Sequence, residues 1–307
     1  MAITVGTLGE NSISLSYSPR ETEANLSEVL RVSLSSLGWQ TMQKISDTNI
    51  IYRAPMRDGI SQKYIQIDMR SEYIYLSAWE FWNPETTEGT NVTYYSGSAT
   101  HHQRYDFANG GNLFIFASAR YIVLLSRIAG DVWGCTNNNT WTGVFEIARD
   151  NPEEIAGEFP LYVWMTGEGA IGAHATSSNR ARCCAYPRDS FGQISSNAWE
   201  YQALATAVGS THDNAGRLYT VLPTGSNPMS PTAATQVYTP YQVDRRHGWV
   251  RGRVYGLKIL PRAIGSVMDK INIRVDGEKF YDANGATTRD HHVLTTGSAD
   301  CRFAIPE

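Results

Sequence analysis

The chain has 307 residues, of which 42% are hydrophobic and 18% charged, with a net charge of −4 at pH 7. That length allows one large or two modest domains and a real core, while the charge sits below the usual fraction of about a quarter. No long basic run is present to neutralise phosphates, no apolar run approaches the ~20 residues of a membrane span, and the opening "MAITVGTLGENS" lacks the basic and apolar regions of a signal peptide.

The first eighteen residues alternate loosely ("ITVGTLG", "SISLSYS") and predict a short edge strand or an extended arm. In "ETEANLSEVLRVSLSSLGW", Leu26, Val29, Leu30, Leu34 and Leu37 recur at helical spacing, acidic residues crowd the start and Gly38 stops the run. The pattern predicts an amphipathic helix over about 22–37 whose stripe is core. "NIIYRAP", "KYIQIDM" and "EYIYLSAWEFW" then read as an antiparallel meander packed on that helix. In the second of these, Tyr64 and Gln66 alternate against Ile65 and Ile67. The stretch 84–111 has no firm period and reads as a long loop. "LFIFAS" and "YIVLLSR" follow as two buried strands joined by a tight turn, and "WTGVFEIARD" as another strand. Asp150–Glu154 reads as a turn or a helix start.

From about 166 to 246 small residues and turn formers dominate, with one short helix predicted around Ala198–Ala207. Regular structure returns at "GWVRGRVYGLKILP", "KINIRV" and "HHVL". The fold class is therefore α+β and mostly β. Residues 1–150 are expected to form an N-terminal α+β domain and 151–246 a loop-rich middle with interaction arms. Residues 247–307 are expected to form a C-terminal β element able to pack back on the first domain.

The stretch "VDGEKFYDANGATTRDHHVLTTG" (Val275–Gly297) concentrates acids and two adjacent histidines. Its D-G and N-G steps favour turns. Neighbouring strand side chains point to opposite faces, so His291 and His292 are poorly placed to share a metal. Asp282-x-Asn284-Gly285 opens like a calcium loop, yet the twelfth position, where a glutamate is needed, is Val293. The stretch reads as a structural hairpin. His101-His102 meets the same objection, with no partner carboxylate visible. Gly167, Gly169 and Gly172 fit G-x-G-x-x-G, but the following "AHATSSNRARCC" is a poor helix with no acidic residue at the expected offset. Cys135, Cys183, Cys184 and Cys301 show no C-x-x-C spacing and read as reduced thiols. Glu80, Glu146 and Glu153 are the possible acids of a glycosidase, but nothing in the sequence pairs them. No catalytic, cofactor-binding or metal-binding residue is assigned, and the chain is expected not to be an enzyme. Tyr73, Tyr75, Trp79, Phe81 and Trp82 form an aromatic cluster read as core on one side and subunit interface on the other.

Two stretches carry a family resemblance: "GWQTMQKISDTNIIYRAPMRDGISQKYIQIDMRSEYIYLSAWEFWNPETTEGTN" (38–91) and "GRVYGLKILPRAIGSVMDKINIRVDGEKFYDANGATTRDHHVLTTG" (252–297). Together, over about a third of the chain, they resemble virion structural proteins of tailed bacteriophages, of the tail or baseplate kind. The resemblance lies in layout and phrasing, and it brings no catalytic residue with it. It implies a structural protein that works by protein–protein assembly, as a homo-oligomer and with other virion proteins. It would be assembled in the host cytoplasm and located in the virion, without cofactor, nucleic acid, membrane segment or small-molecule ligand. The runner-up is a receptor-binding tail fibre or fibre-attachment protein, and a cell-wall-degrading virion enzyme is a third class.

Overall fold

A computed structural model describes residues 3–55, 64–93, 103–128, 132–133, 139–148, 162–168, 182–184, 202–205, 218–219, 241–244, 249–261, 266–274, 288–294 and 301–307. The chain divides into two compact units, Met1–Val144 and Phe145–Glu307. The described residues are mostly strand, in largely antiparallel sheets, with a single helix among them, so the fold is α+β and mostly β.

The N-terminal unit opens with β1 (Ile3–Gly9) and β2 (Ser12–Tyr17), which form an antiparallel hairpin. The loose alternation of this stretch thus encodes two strands where one strand or an arm was expected. The helix α1 (Glu23–Ser36) follows, within a residue of its predicted bounds. Thr22 caps its start, accepting from the Asn25 amide at 3.2 Å. At its end the Trp39 amide donates to Leu34 O and the Gly38 amide to Ser35 O, both at 3.0 Å. This closure needs a left-handed residue, and Gly38 supplies it at φ 85°. Leu26, Leu30 and Leu34 are fully buried, and Val29 and Leu37 half-buried. Ser27 and Ser33 also lie on the buried side.

Six strands then make one sheet: β3 (Gln40–Lys44), β4 (Asn49–Arg53), β5 (Tyr64–Arg70), β6 (Tyr73–Asn83), β7 (Glu88–Thr93) and β8 (Gln103–Arg104). They pair in the order β3-β4-β5-β6-β7, with β8 also on β6. The predicted meander is its centre. Within the stretch 84–111, read as a long loop, the described residues include two strands, β7 and β8, which both find backbone partners on β6. One face carries Ile50, Tyr52, Ile65, Ile67, Met69, Ile74, Leu76 and Ala78, each at most 3% exposed.

β9 (Gly111–Ser118) and β10 (Tyr121–Ile128) form the expected hairpin, with β2 on the far side of β9 and β11 (Val132–Trp133) on β10. β10 is buried at all positions but Arg127, whereas β9 keeps Phe114 half-buried, so burial of the pair is incomplete. Ile13, Leu15, Leu113, Ile115 and Leu124 share the core-facing side of this second sheet. α1 packs against β1 and β2 of one sheet and β3 and β5 of the other. Buried polar ties also cross between the layers. Gln103 Oε1 on β8 accepts from the Ser126 amide (2.8 Å) and hydroxyl (3.1 Å) on β10. The Tyr105 hydroxyl donates to Glu23 at the start of α1. Burial and that carboxylate push the Tyr105 phenol well above its ordinary range.

On the outer side of α1, Glu28 meets Arg31 at 2.5 Å and Lys44 of β3 at 3.1 Å. The hydrogen bonds from Arg31 and Lys44 lower its carboxyl from 4.5 to about 2. A depressed carboxyl stabilises the fold above its unfolded value and loses that contribution as pH falls through the folded one. The group is solvent-exposed, so Glu28→Gln is expected to cost less than about 1 kcal/mol at neutral pH. Its melting curve should converge on wild type as pH falls from 4.5 toward 2. A difference that persisted at the acid end would mean that the substitution acts through packing.

In the C-terminal unit, β12 (Asn139–Ala148) runs in from the first unit. β13 (Tyr162–Glu168) pairs with β12 and β14 (Arg182–Cys184). β15 (Gln202–Ala205), β16 (Leu218–Tyr219), β17 (Tyr241–Asp244) and β18 (Trp249–Val254) continue in the order β18-β17-β15-β16. The helix expected at Ala198–Ala207 is corrected: its described part is strand β15, whose backbone is held by β17 from Gln202↔Asp244 to Ala205↔Tyr241. Sheet pairing overrides a short stretch of modest helix propensity. Finally β19 (Lys258–Pro261), β20 (Lys270–Arg274), β21 (Thr288–Val293) and β22 (Cys301–Pro306) form a separate antiparallel sheet, β19-β22-β21-β20. Among the described residues no helix is long and apolar enough to cross a membrane.

Candidate functional site: the aromatic face of β5 and β6

The six-stranded sheet has a second face whose texture differs from its core side. The pairings Asn49↔Asp68, Ile51↔Gln66, Tyr64↔Trp79, Gln66↔Ser77, Asp68↔Tyr75 and Arg70↔Tyr73 place these residues on it together. Alternation explains the division. In "YIQIDMR" and "YIYLSAW" every second residue is Ile, Leu, Met or Ala, and the residues between are aromatic, amide, hydroxyl or charged.

A hydrogen-bonded ladder crosses the face. Trp79 Nε1 donates to Gln66 Oε1 at 3.1 Å, and Gln66 Nε2 donates to Asn49 Oδ1 at 2.9 Å. Beside it, Trp82 Nε1 donates to Gln43 Oε1 at 2.7 Å, and Gln43 Nε2 donates to Pro84 O at 3.1 Å. Trp79 and Trp82 meet edge to face at 5.4 Å. Ile51, Tyr64 and Trp82 form a small buried cluster, with Met42 and Trp79 packed against it. Toward the other end, the Arg70 guanidinium lies 4.4 Å from the centre of the Tyr75 ring and its Nε is 3.2 Å from Asp68 Oδ2. Burial pushes the Asp68 carboxyl up, with Arg70 opposing. Tyr73, Tyr75 and Trp79 are half-buried, whereas Phe81 is 54% exposed. The arrangement offers ring surface and amide groups in fixed positions, which suits docking.

The predicted aromatic cluster is thus divided: Tyr73, Tyr75 and Trp79 share the outer face, Trp82 is buried beside Trp79, and Phe81 projects into solvent. The sequence reading missed the polar members Asn49, Gln43 and Arg70. The period-two placement of Gln66 was the signal available for the ladder.

The histidine pair sits in the C-terminal sheet. β20 and β21 pair from Lys270↔His292 to Arg274↔Thr288, the strands of a hairpin; its connection, with Asp282, Asn284 and Gly285, lies outside the described residues. Pairings put His291 on the face of Ile271, Ile273, Val293 and Ala304, and His292 on the face of Lys270 and Ile305. Both imidazoles are buried. His292 Nδ1 lies 3.3 Å from Met268 O, and its Nε2 lies 3.9 Å from Glu307 Oε1. Lys270 Nζ reaches Glu307 Oε2 at 2.6 Å and Asp290 Oδ2 at 2.9 Å, and these two bonds, Glu307 first, raise its pKa. Among the described residues no three His, Cys, Asp or Glu side chains gather as a metal site.

Of the remaining candidates, Gly167 falls in β13, while Gly169, Gly172, His101, His102, Cys135, Glu153 and the Asp150–Glu154 turn lie outside the described residues. Cys183 and Cys184 are in β14, opposite Met165 and Trp164, and Cys301 is in β22 opposite Pro261. Glu146 is buried in β12, its carbonyl accepting from the Tyr255 amide at 2.9 Å, and Glu80 is within β6. No protein-family model matches the chain, and no curated protein matches it in sequence.

Proposed function

We propose that the chain is a structural subunit of a tailed-phage particle, in the tail or baseplate, and that it works by assembly with copies of itself and with other virion proteins. Its place would be the virion, built in the host cytoplasm, and it would need no cofactor and perform no catalysis. The observation that carries the reading is the aromatic strand β6, where Phe81 stands 54% exposed two residues along from Trp79, which itself packs edge to face on Trp82. An exposed aromatic next to rigid, internally bonded aromatics is the composition of an interface centre. The resemblance of 38–91, which contains this strand, and of 252–297 to phage virion proteins supports the same reading.

The test is mass spectrometry of purified particles. The chain should be present in fixed multiple copies, and Phe81→Glu should leave the isolated protein folded while lowering its incorporation by at least tenfold, the effect of about 1.4 kcal/mol. Absence of the chain from particles would overturn the reading. The receptor-binding alternative draws on more of the face, the Arg70–Tyr75 stack and the Trp79–Gln66–Asn49 ladder, since aromatic rings flanked by amides also suit glycans. Glycan-array binding lost on Tyr75→Ala would favour it.

A further inference from the structure

We infer that β1 is an open docking edge that pairs antiparallel with β1 of a second copy of this chain, extending the β1-β2-β9-β10 sheet across a two-fold axis. Among the described residues β1 is paired only with β2 and stands at the end of its sheet. Alternate residues of an antiparallel edge strand turn their N–H and C=O groups outward, so about half of the seven residues offer an unpaired donor and acceptor.

Sheet edges are commonly blunted by charged side chains, by proline, by a bulge in mid-strand or by brevity. β1 has none of these. Its sequence "ITVGTLG" carries no charge and no proline. Its register against β2 is regular from Ile3↔Tyr17 to Thr7↔Ile13 and shifts only between Thr7 and Gly9, at the hairpin end. Thr4, Val5 and Thr7 are exposed.

The apolar face of the sheet also runs off this edge. Leu113 is opposite Leu15 and Leu15 opposite Val5; the two leucines are 1% and 0% exposed, and Val5 is 51% exposed. One more strand would cover Val5 and continue the row. A second β1 suits this position because the strand is neutral, so pairing with itself sets no like charges against each other. Pairing centred on Val5 would place it against the partner's Val5, and Ile3 against the partner's Thr7, satisfying both edges at once in the closed symmetry of a two-fold. The strand pair alone is small beside a standard interface, so the isolated dimer is weak, and repetition in an assembly is what makes it count.

The inference rests on the assembly reading for its purpose, but its test does not. Purified full-length chain is followed by sedimentation velocity over a wide concentration range, with amide exchange measured over residues 3–9. Wild type should pass from monomer to dimer, and exchange in β1 should slow as it does so. Thr4→Lys and Val5→Lys, both at exposed positions, should each weaken association at least tenfold while keeping wild-type circular dichroism. Val5→Thr, which keeps a neutral strand former, should still dimerise. A wild type that stays monomeric throughout, or a dimer indifferent to both lysines, overturns the inference. Particle analysis separates the two claims. A chain present in particles but not pairing through β1 refutes only the edge, and a chain that pairs through β1 but is absent from particles refutes only the assembly reading.

Discussion

Leu30→Ala is expected to destabilise the N-terminal unit by about 2–5 kcal/mol. Leu30 is fully buried in α1, between Leu26 and Leu34, which are equally buried. The helix packs on strands of two different sheets, β1 and β2 on one and β3 and β5 on the other, so the space left by the leucine cannot close by a shift toward either alone. Val32→Ala on the same helix is the control. Val32 is 54% exposed, and its truncation should move stability by no more than about 0.5 kcal/mol. Chemical denaturation of both variants checks the pair. Equal losses would mean that α1 does not bury the side on which Leu30 lies.

This helix is also where the sequence was most legible. Leucines at helical spacing, acidic residues at the start and a Gly stop each point to one answer, and the structure ends the helix where those signals lie. The central meander was legible for a similar reason: β4, β5 and β6 combine β-branched and aromatic residues, with a proline after β4 and a short turn between β5 and β6. What was illegible depends on distant partners. β15 is four residues long and pairs with β17, whose partners lie 36 to 42 residues further along the chain, from Ala205↔Tyr241 to Gln202↔Asp244. Window periodicity cannot see such a partner. The candidate site was legible in its rings but not in its polar frame, since Asn49, Gln66 and Trp79 come together only when β4, β5 and β6 are set in register.

The first of the two strands missed in the 84–111 stretch, β7, shows how a local rule and a tertiary need can conflict, and it leads to the second large effect. "EGTNVT" reads poorly as strand because it opens on Glu and Gly, and Gly inside a strand ordinarily weakens it. In β7 that glycine, Gly89, lies under the Trp79 indole. A Cβ built on it would fall 2.2 Å from Trp79 Cε3 and 2.6 Å from Cδ2. The ring cannot yield cheaply, because its Nε1 is bonded to Gln66 and its edge packs on Trp82. Gly89→Ala is therefore expected to cost about 1–3 kcal/mol and to lower the melting temperature by roughly 3–10 °C, with a change in tryptophan emission as the indole is displaced. Alanine ordinarily improves on glycine within a strand, so the sign itself is diagnostic. The cause can be isolated by repeating the substitution in a Trp79→Leu background, where the smaller side chain leaves room for a methyl group. The cost of Gly89→Ala should fall to near zero or reverse there, a coupling of about 1 kcal/mol or more between the two positions. The same loss in both backgrounds would show that Gly89 is required for its backbone rather than for the ring above it, and that Trp79 does not stand where the aromatic face needs it.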